Sequence, residues 1–275
     1  MLNDIVPKAP YRESQSVSVP RTSRWLVWLF SRYVFRYMRR SFHAVRVARA
    51  GKPESLPDVP IIAYINHPSW WDPLFCIVLA KKLFPERTHY APMDLGALKR
   101  YKFFQRLGFF GVVPKSSRGA RSLLTIGEAI LKHNHSMLWI TPQGCFADTR
   151  ERPVSFRPGL GYLVHHAGCC ALLPIALEYP FWEERFPEAL ARCGTVVSKD
   201  KADKTSFKEW TLRLQQQLES VQNDLAADSL RRNRAAFDVL LSGRAGVGGP
   251  YDMWRAIKAK LRGDTFRAEH GEYGP

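Results

Sequence analysis

The chain has 275 residues, with 41 Lys and Arg against 25 Asp and Glu, a formal net charge of +16. At 45% hydrophobic and 24% charged residues it has the composition of a globular protein with a sizeable core, which excludes a disordered chain. The basic surplus calls for an acidic partner, nucleic acid or anionic membrane.

Half of that surplus sits in the first 50 residues, which hold ten basic residues and two acids, Asp4 and Glu13. Between Arg21 and Ala50 there are eight Arg, no acid, no Pro and no Gly, interleaved with Trp25, Trp28, Phe30, Tyr33, Phe35, Tyr37 and Phe42. Val27, Phe30, Val34, Met38, Phe42 and Val45 recur at steps of three and four, and Arg32, Arg36, Arg39 and Arg46 follow a similar step on another face. The pattern predicts one long basic amphipathic helix suited to a bilayer interface, where rings sit at headgroup level and guanidinium groups meet phosphates. The alternative is a core-packing helix with a solvated Arg face. No zinc-finger, zipper or RNA-stacking signature accompanies it, so nucleic acid is not expected as a partner.

After Gly51 short β-branched runs alternate with longer helical ones. Strands are expected at 60–65, 88–91, 111–113, 137–141 and 171–178, with helices at 73–84, 98–107, 118–132 and 158–166. This predicts an α/β domain with a mainly parallel sheet and active residues on loops past the strand ends. Helices are expected at 206–227 and 230–241, then a glycine-rich linker at 243–249 and a short basic helix at 251–262. The expected organisation is a basic N-terminal segment, residues 1–50, a catalytic α/β domain, residues 51–200, and a C-terminal helical extension, residues 201–275. No internal repeat is visible.

Five Cys without paired spacing, and no secretory or lipidation pattern, lead to the expectation of a reducing, cytoplasmic compartment. The longest uninterrupted apolar runs, 25–30 and 73–80, fall far short of the ~20 residues a spanning helix needs.

The best chemical candidate follows the first strand of the α/β domain, in Asn66-His67-Pro68-Ser69-Trp70-Trp71-Asp72-Pro73. Pro68 disfavours a helical His67, and Ser69 suits a helix cap, which predicts His67 on the turn and Asp72 about one turn into the helix. A carboxylate bonded to one imidazole nitrogen leaves the other to accept a proton from a hydroxyl. Spacing alone does not decide, because His89 and Asp94 are separated identically. Asn66 and the bracketing prolines favour the first pair, and His89 at a strand edge reads as a partly buried imidazole with a local hydrogen bond. His165, His166, Cys169 and Cys170 are metal-type ligands on neighbouring helix positions, an awkward geometry, and no metal site is expected. No Gly-x-Ser-x-Gly elbow is present.

The order of segments over roughly 60–180 resembles the glycerolipid (lysophospholipid) acyltransferase family, of the 1-acylglycerol-3-phosphate acyltransferase type. Its Asn-His-x-x-x-x-Asp motif is matched by Asn66, His67 and Asp72. Gly111-Val112-Val113-Pro114-Lys115 resembles the second motif, with Lys115 in place of an arginine and Arg118 close behind. Thr141-Pro142-Gln143-Gly144-Cys145-Phe146 keeps the Pro and Gly of the third, with Gln143 where the family has Glu. Phe156-Arg157-Pro158-Gly159 and Leu173-Pro174-Ile175 follow in family order. The resemblance implies His67 as general base oriented by Asp72, and acyl transfer from acyl-CoA or acyl carrier protein to a lysolipid hydroxyl. It implies no bound cofactor, and oxyanion donors near Gly144 or the helix start after Pro68. Asn66, Lys115, Arg118, Gln143, Gly144, Arg150 and Arg157 would contact substrate, with Arg152 a further cation. A peripheral position on the cytoplasmic face of the membrane follows. The alternative is a non-catalytic peripheral membrane-binding protein that retains the fold.

Overall fold

The computed structural model describes residues 19–53 and 55–245. Helix α1 (Arg24–Ser41) is capped by Ser23, whose hydroxyl accepts from the Leu26 N–H. It stops short of the expected end at Ala50. Phe42 is extended and a fully buried strand, β1 (Ala44–Ala48), follows. The cause is tertiary: Arg46, expected on the basic helix face, is buried and donates from Nε to Glu188 at 2.9 Å, and His43 Nδ1 lies 2.6 Å from the same carboxylate. Burial alone would raise the Glu188 carboxyl, but the hydrogen bonds from His43 and Arg46 prevail and hold it below the usual carboxylate range.

Strand β2 (Ile61–Ile65) leads into α2 (Asp72–Leu83), then β3 (Thr88–Asp94) and α3 (Leu95–Arg100). The helix expected over 98–107 is broken at Tyr101. A 3-10 turn (Lys102–Leu107) continues it and ends at Gly108, whose φ of +101° brings the backbone against the His89 carbonyl, where a Cβ would not fit. Strand β4 (Phe109–Val112), α4 (Ser117–Ile130), β5 (Ser136–Ile140), α5 (Gly159–His166) and β6 (Cys170–Glu178) follow close to expectation. Two strands unexpected from the sequence come next, β7 (Glu188–Cys193) and β8 (Val197–Lys199). Then comes α6 (Phe207–Arg231), opened by a reciprocal Ser206–Glu209 capping box.

The helix expected over 230–241 is not formed. Arg232 turns left-handed at φ +50° and ends α6, and β9 (Phe237–Ser242) pairs antiparallel with β1. Backbone pairing at an open sheet edge outweighs the helical spacing of a short segment. The glycine-rich linker begins with Gly243 and Arg244, whose N–H groups donate to His43 and Phe42 carbonyls at 2.8 and 3.1 Å. The expected helix at 251–262 lies outside the described residues.

The sheet runs β4-β3-β5-β2-β6-β7-β1-β9, with β8 beside β6. Pairs β2–β5, β2–β6, β3–β5, β3–β4 and β1–β7 are parallel, so the expected mainly parallel α/β fold is observed. Alternate residues of β2 serve opposite layers. Ile61, Ala63 and Ile65 pack with α1 and α2 through Val34, Met38, Phe75 and Leu79, while Ile62 and Tyr64 pack with α5 and α6 through Leu163, Trp210 and Leu214. Parallel pairing brings the C-terminal ends of β2, β3, β4 and β5 to one edge, where ligands bind in sheets of this kind.

Candidate active site

His67 leaves the C-terminal end of β2. Asn66 before it is fully buried, and both ends of its amide engage Leu177 on β6: Nδ2 donates to the carbonyl at 2.9 Å, and Oδ1 accepts from the N–H at 2.7 Å. Asn66 is therefore a clamp that fixes the end of β2, not the substrate contact expected of it. The His67 backbone is held from the other side as well. Its N–H donates to Gln143 Oε1 at 3.0 Å, and its carbonyl accepts from the Ala147 N–H at 3.0 Å.

His67 Nδ1 lies 2.6 Å from Asp72 Oδ2. The carboxylate can only accept, so Nδ1 carries the proton and Nε2 is left as the basic nitrogen. Asp72 is buried, opens α2 as its first residue and not one turn in as expected, and receives two further donors. The Ser69 N–H donates to Oδ2 at 3.1 Å and the Tyr179 hydroxyl to Oδ1 at 2.7 Å. Burial, with the Asp72 charge beside it, pushes the Tyr179 hydroxyl well above its ordinary value, so it remains a donor. No local signal marked Tyr179, which is 107 residues from Asp72 in the chain and follows directly on β6. The Phe146 ring stacks obliquely on His67 with centroids 4.4 Å apart.

The second pair with identical spacing is taken apart by the fold. Asp94 caps α3 by accepting from the Ala97 N–H at 2.9 Å. His89 Nδ1 accepts from Trp139 Nε1–H at 3.1 Å, and its Nε2 faces the Phe84 carbonyl at 3.0 Å, which fixes a neutral tautomer. Burial pushes its imidazole down to about 4. Both histidines border a cavity of about 180 Å³ whose wall is otherwise mainly apolar, with Cys76, Ile77, Leu107, Phe109 and Trp139 among its residues.

The expected cations divide. Arg150 is occupied by Asp148, with Nε and Nη2 donating at 2.9 and 2.7 Å, and Arg152 is occupied by Asn223 and the Thr149 and Glu151 carbonyls. Lys115 and Arg118 stand exposed beyond β4, with no side-chain partner among the described residues. Arg157 is exposed and lies across Gly144, where a Cβ would fall 2.8 Å from its Cδ. Gly144 has φ +64°, so both conformation and space require glycine there. Its N–H is engaged with the Thr141 carbonyl at 3.1 Å, and the Ser69, Trp71 and Asp72 N–H groups are all bonded within their own turn. These four N–H groups are thus engaged in local structure.

His165 and His166 point to the Thr205 and Tyr162 carbonyls, each at 2.9 Å, and among the described residues no group of three His, Cys, Asp or Glu could hold a metal ion.

Residues 46–178, which contain every part of this site except the partner hydroxyl of Tyr179, match the family model described as Acyltransferase. This stretch is an acyltransferase-family domain. Among solved structures the chain is similar to the 1-acyl-sn-glycerophosphate (LPA) acyltransferase PlsC from Thermotoga maritima, at 14% identity and a TM-score of 0.44, over 76% of this chain and 79% of that one. No curated protein sequence matches the chain.

Proposed function

We propose that this acyltransferase domain moves a fatty acyl group from a thioester, on coenzyme A or acyl carrier protein, to the hydroxyl of a lysophospholipid or related lysolipid. The observation that carries the reading is the His67–Asp72 pair, with Nδ1 tied to the carboxylate and Nε2 left basic beside a mainly apolar cavity. Nε2 takes the proton as the acceptor oxygen attacks the thioester carbonyl. The tetrahedral intermediate then expels the thiolate, which recovers that proton from the imidazolium, and Asp72 stabilises the charged ring in between. The cavity suits a hydrocarbon chain, and Lys115, Arg118 and Arg157 suit an anionic headgroup, Arg157 with the fork geometry that lysine lacks. Gln143 supports the reading as a positioning residue, because its carbonyl oxygen accepts the His67 N–H just as a glutamate would. A lysolipid resides in a membrane leaflet, so the reading includes a peripheral position on the cytoplasmic face of the bilayer.

The test is purified protein supplied with acyl-CoA or acyl carrier thioester and a panel of lysolipids, with product read by mass spectrometry. An acylated lysolipid is expected. No turnover with any acceptor would overturn the reading.

A further inference from the structure

Gln143 is 8% exposed and sits against the catalytic histidine with only half of its amide in use. Its Oε1 accepts the His67 N–H at 3.0 Å, and only the carbonyl end of an amide can accept, so the NH2 end is turned away from that bond. Nε2 has no hydrogen-bond partner among the described residues, and it is not sealed in the interior. A buried amide with one end fastened and the other free to meet a ligand is costly to hold unless something binds there.

The backbone around Gln143 is fixed from several sides. Thr141, Pro142, Gln143 and Gly144 form a turn closed by the Gly144 N–H on the Thr141 carbonyl at 3.1 Å, with Pro second and Gly fourth, the places that such turns favour. The Arg157 N–H donates to the Pro142 carbonyl at 2.9 Å, and the Ala147 N–H ties the following residues to the His67 carbonyl at 3.0 Å. Thr141, at the start of the turn, lines the apolar cavity that also borders His67, and Phe146, just after it, lays its ring on the imidazole. The Gly144, Ser69, Trp71 and Asp72 N–H groups are already engaged, whereas the Gln143 Nε2 donor is free.

We infer that Gln143 is a further catalytic residue, whose Nε2–H donates to the oxyanion of the tetrahedral intermediate. As His67 Nε2 takes the proton, the acceptor oxygen forms the new C–O bond and the carbonyl π pair moves onto the thioester oxygen. That negative oxygen is what the amide N–H receives. When the pair returns, the C–S bond breaks and the thiolate recovers the proton from the imidazolium. A donor held in place before reaction, beside an apolar cavity and an aromatic ring, stabilises developing charge more than water does. Gln143 thus has two ends with two tasks, Oε1 positioning the base and Nε2 binding the charge that the base creates. The inference rests on the proposed acyl transfer.

The experiment compares wild type, Gln143→Glu and Gln143→Met, each with the oxygen thioester of a fatty acyl chain and with the matching dithioester, in which sulfur replaces the carbonyl oxygen. Glutamate keeps the acceptor for the His67 N–H and loses the donor, while methionine loses both without adding charge. With the oxygen thioester, kcat should fall roughly 10²- to 10³-fold in each variant, with KM for the lysolipid little changed. Sulfur accepts hydrogen bonds weakly, so turnover of the dithioester should fall far less, and the preference for oxygen over sulfur should collapse in both variants. That preference is a ratio of two rates on one sample, so it does not depend on the fraction of folded protein. A wild-type preference retained in Gln143→Glu overturns the inference and leaves Gln143 a positioning residue only. A raised KM with unchanged kcat also overturns it, because the amide would then bind the acceptor in its ground state. No transfer by wild type overturns the acyl-transfer reading and this inference together, whereas the other two outcomes leave that reading standing.

Discussion

Asp72→Asn replaces the carboxylate that holds His67 with an amide of the same shape, and the surrounding donors dictate how that amide sits. The Ser69 N–H and His67 Nδ1–H both address Oδ2, so the amide oxygen takes that place and its NH2 turns toward Tyr179, whose hydroxyl can rotate to accept. The tautomer of His67 is preserved, and only the charge behind the imidazolium is lost. Hydrogen bonds to charged groups are worth about 1.5–3 kcal/mol against about 0.5–1.5 for neutral ones. The imidazolium therefore loses about 1–2 kcal/mol of stabilisation, roughly a 5- to 30-fold fall in kcat. The assay is initial acyl transfer to the best lysolipid, at saturating thioester, for wild type and variant. KM for the lysolipid should change little, since Asp72 is buried behind His67. A fall as deep as the loss of the general base itself, roughly 10²- to 10⁴-fold, would show that the tautomer had flipped and that the three-donor account is wrong. No fall would show that Asp72 does not act on the reacting imidazole.

Tyr179→Phe removes one of the three donors that fix the Asp72 carboxylate, so kcat should fall severalfold with KM for the lysolipid little changed; an unchanged kcat contradicts that role. Arg157→Gln should raise KM for lysolipids with anionic headgroups and leave uncharged ones unaffected, and equal changes for both would remove it from headgroup binding. Gly144→Ala should cost about 1–2 kcal/mol in urea denaturation for the left-handed backbone alone, and more if Arg157 cannot yield; an unchanged midpoint would refute the steric argument. His89 has a folded value of about 4, below the ordinary 6.5. Between those values the unfolded chain takes up a proton that the folded chain refuses, so stability falls as pH drops through that window, by about 3 kcal/mol in all. His89→Gln should flatten that slope, and an unchanged slope would place its origin elsewhere.

The alternation from β2 to β6 was legible because β-branched runs and helical spacings there agree with the final packing. The end of α1 was not. Phe42 and Val45 continue a helical step, and only distant partners make a buried strand of the segment that holds Arg46: backbone pairing with β7 and β9, and the Glu188 carboxylate that receives His43 and Arg46. β7 itself reads Glu-Ala-Leu-Ala-Arg-Cys, residues with helical leanings, and becomes a strand through its pairing with β6 and β1. At the site, the turn with His67 and Asp72 was visible from its prolines and spacing. The separation of His89 from Asp94, the loss of Arg150 to Asp148 and the arrival of Tyr179 all depend on contacts made only in three dimensions.

In the proposed reaction His67 is the base that activates the acceptor hydroxyl. Single-turnover acyl transfer by His67→Ala, with an unchanged melting curve and unchanged flotation with anionic vesicles, tests it most directly. The chemical step should slow by roughly 10²- to 10⁴-fold. Acylated lysolipid formed at the wild-type rate would contradict it.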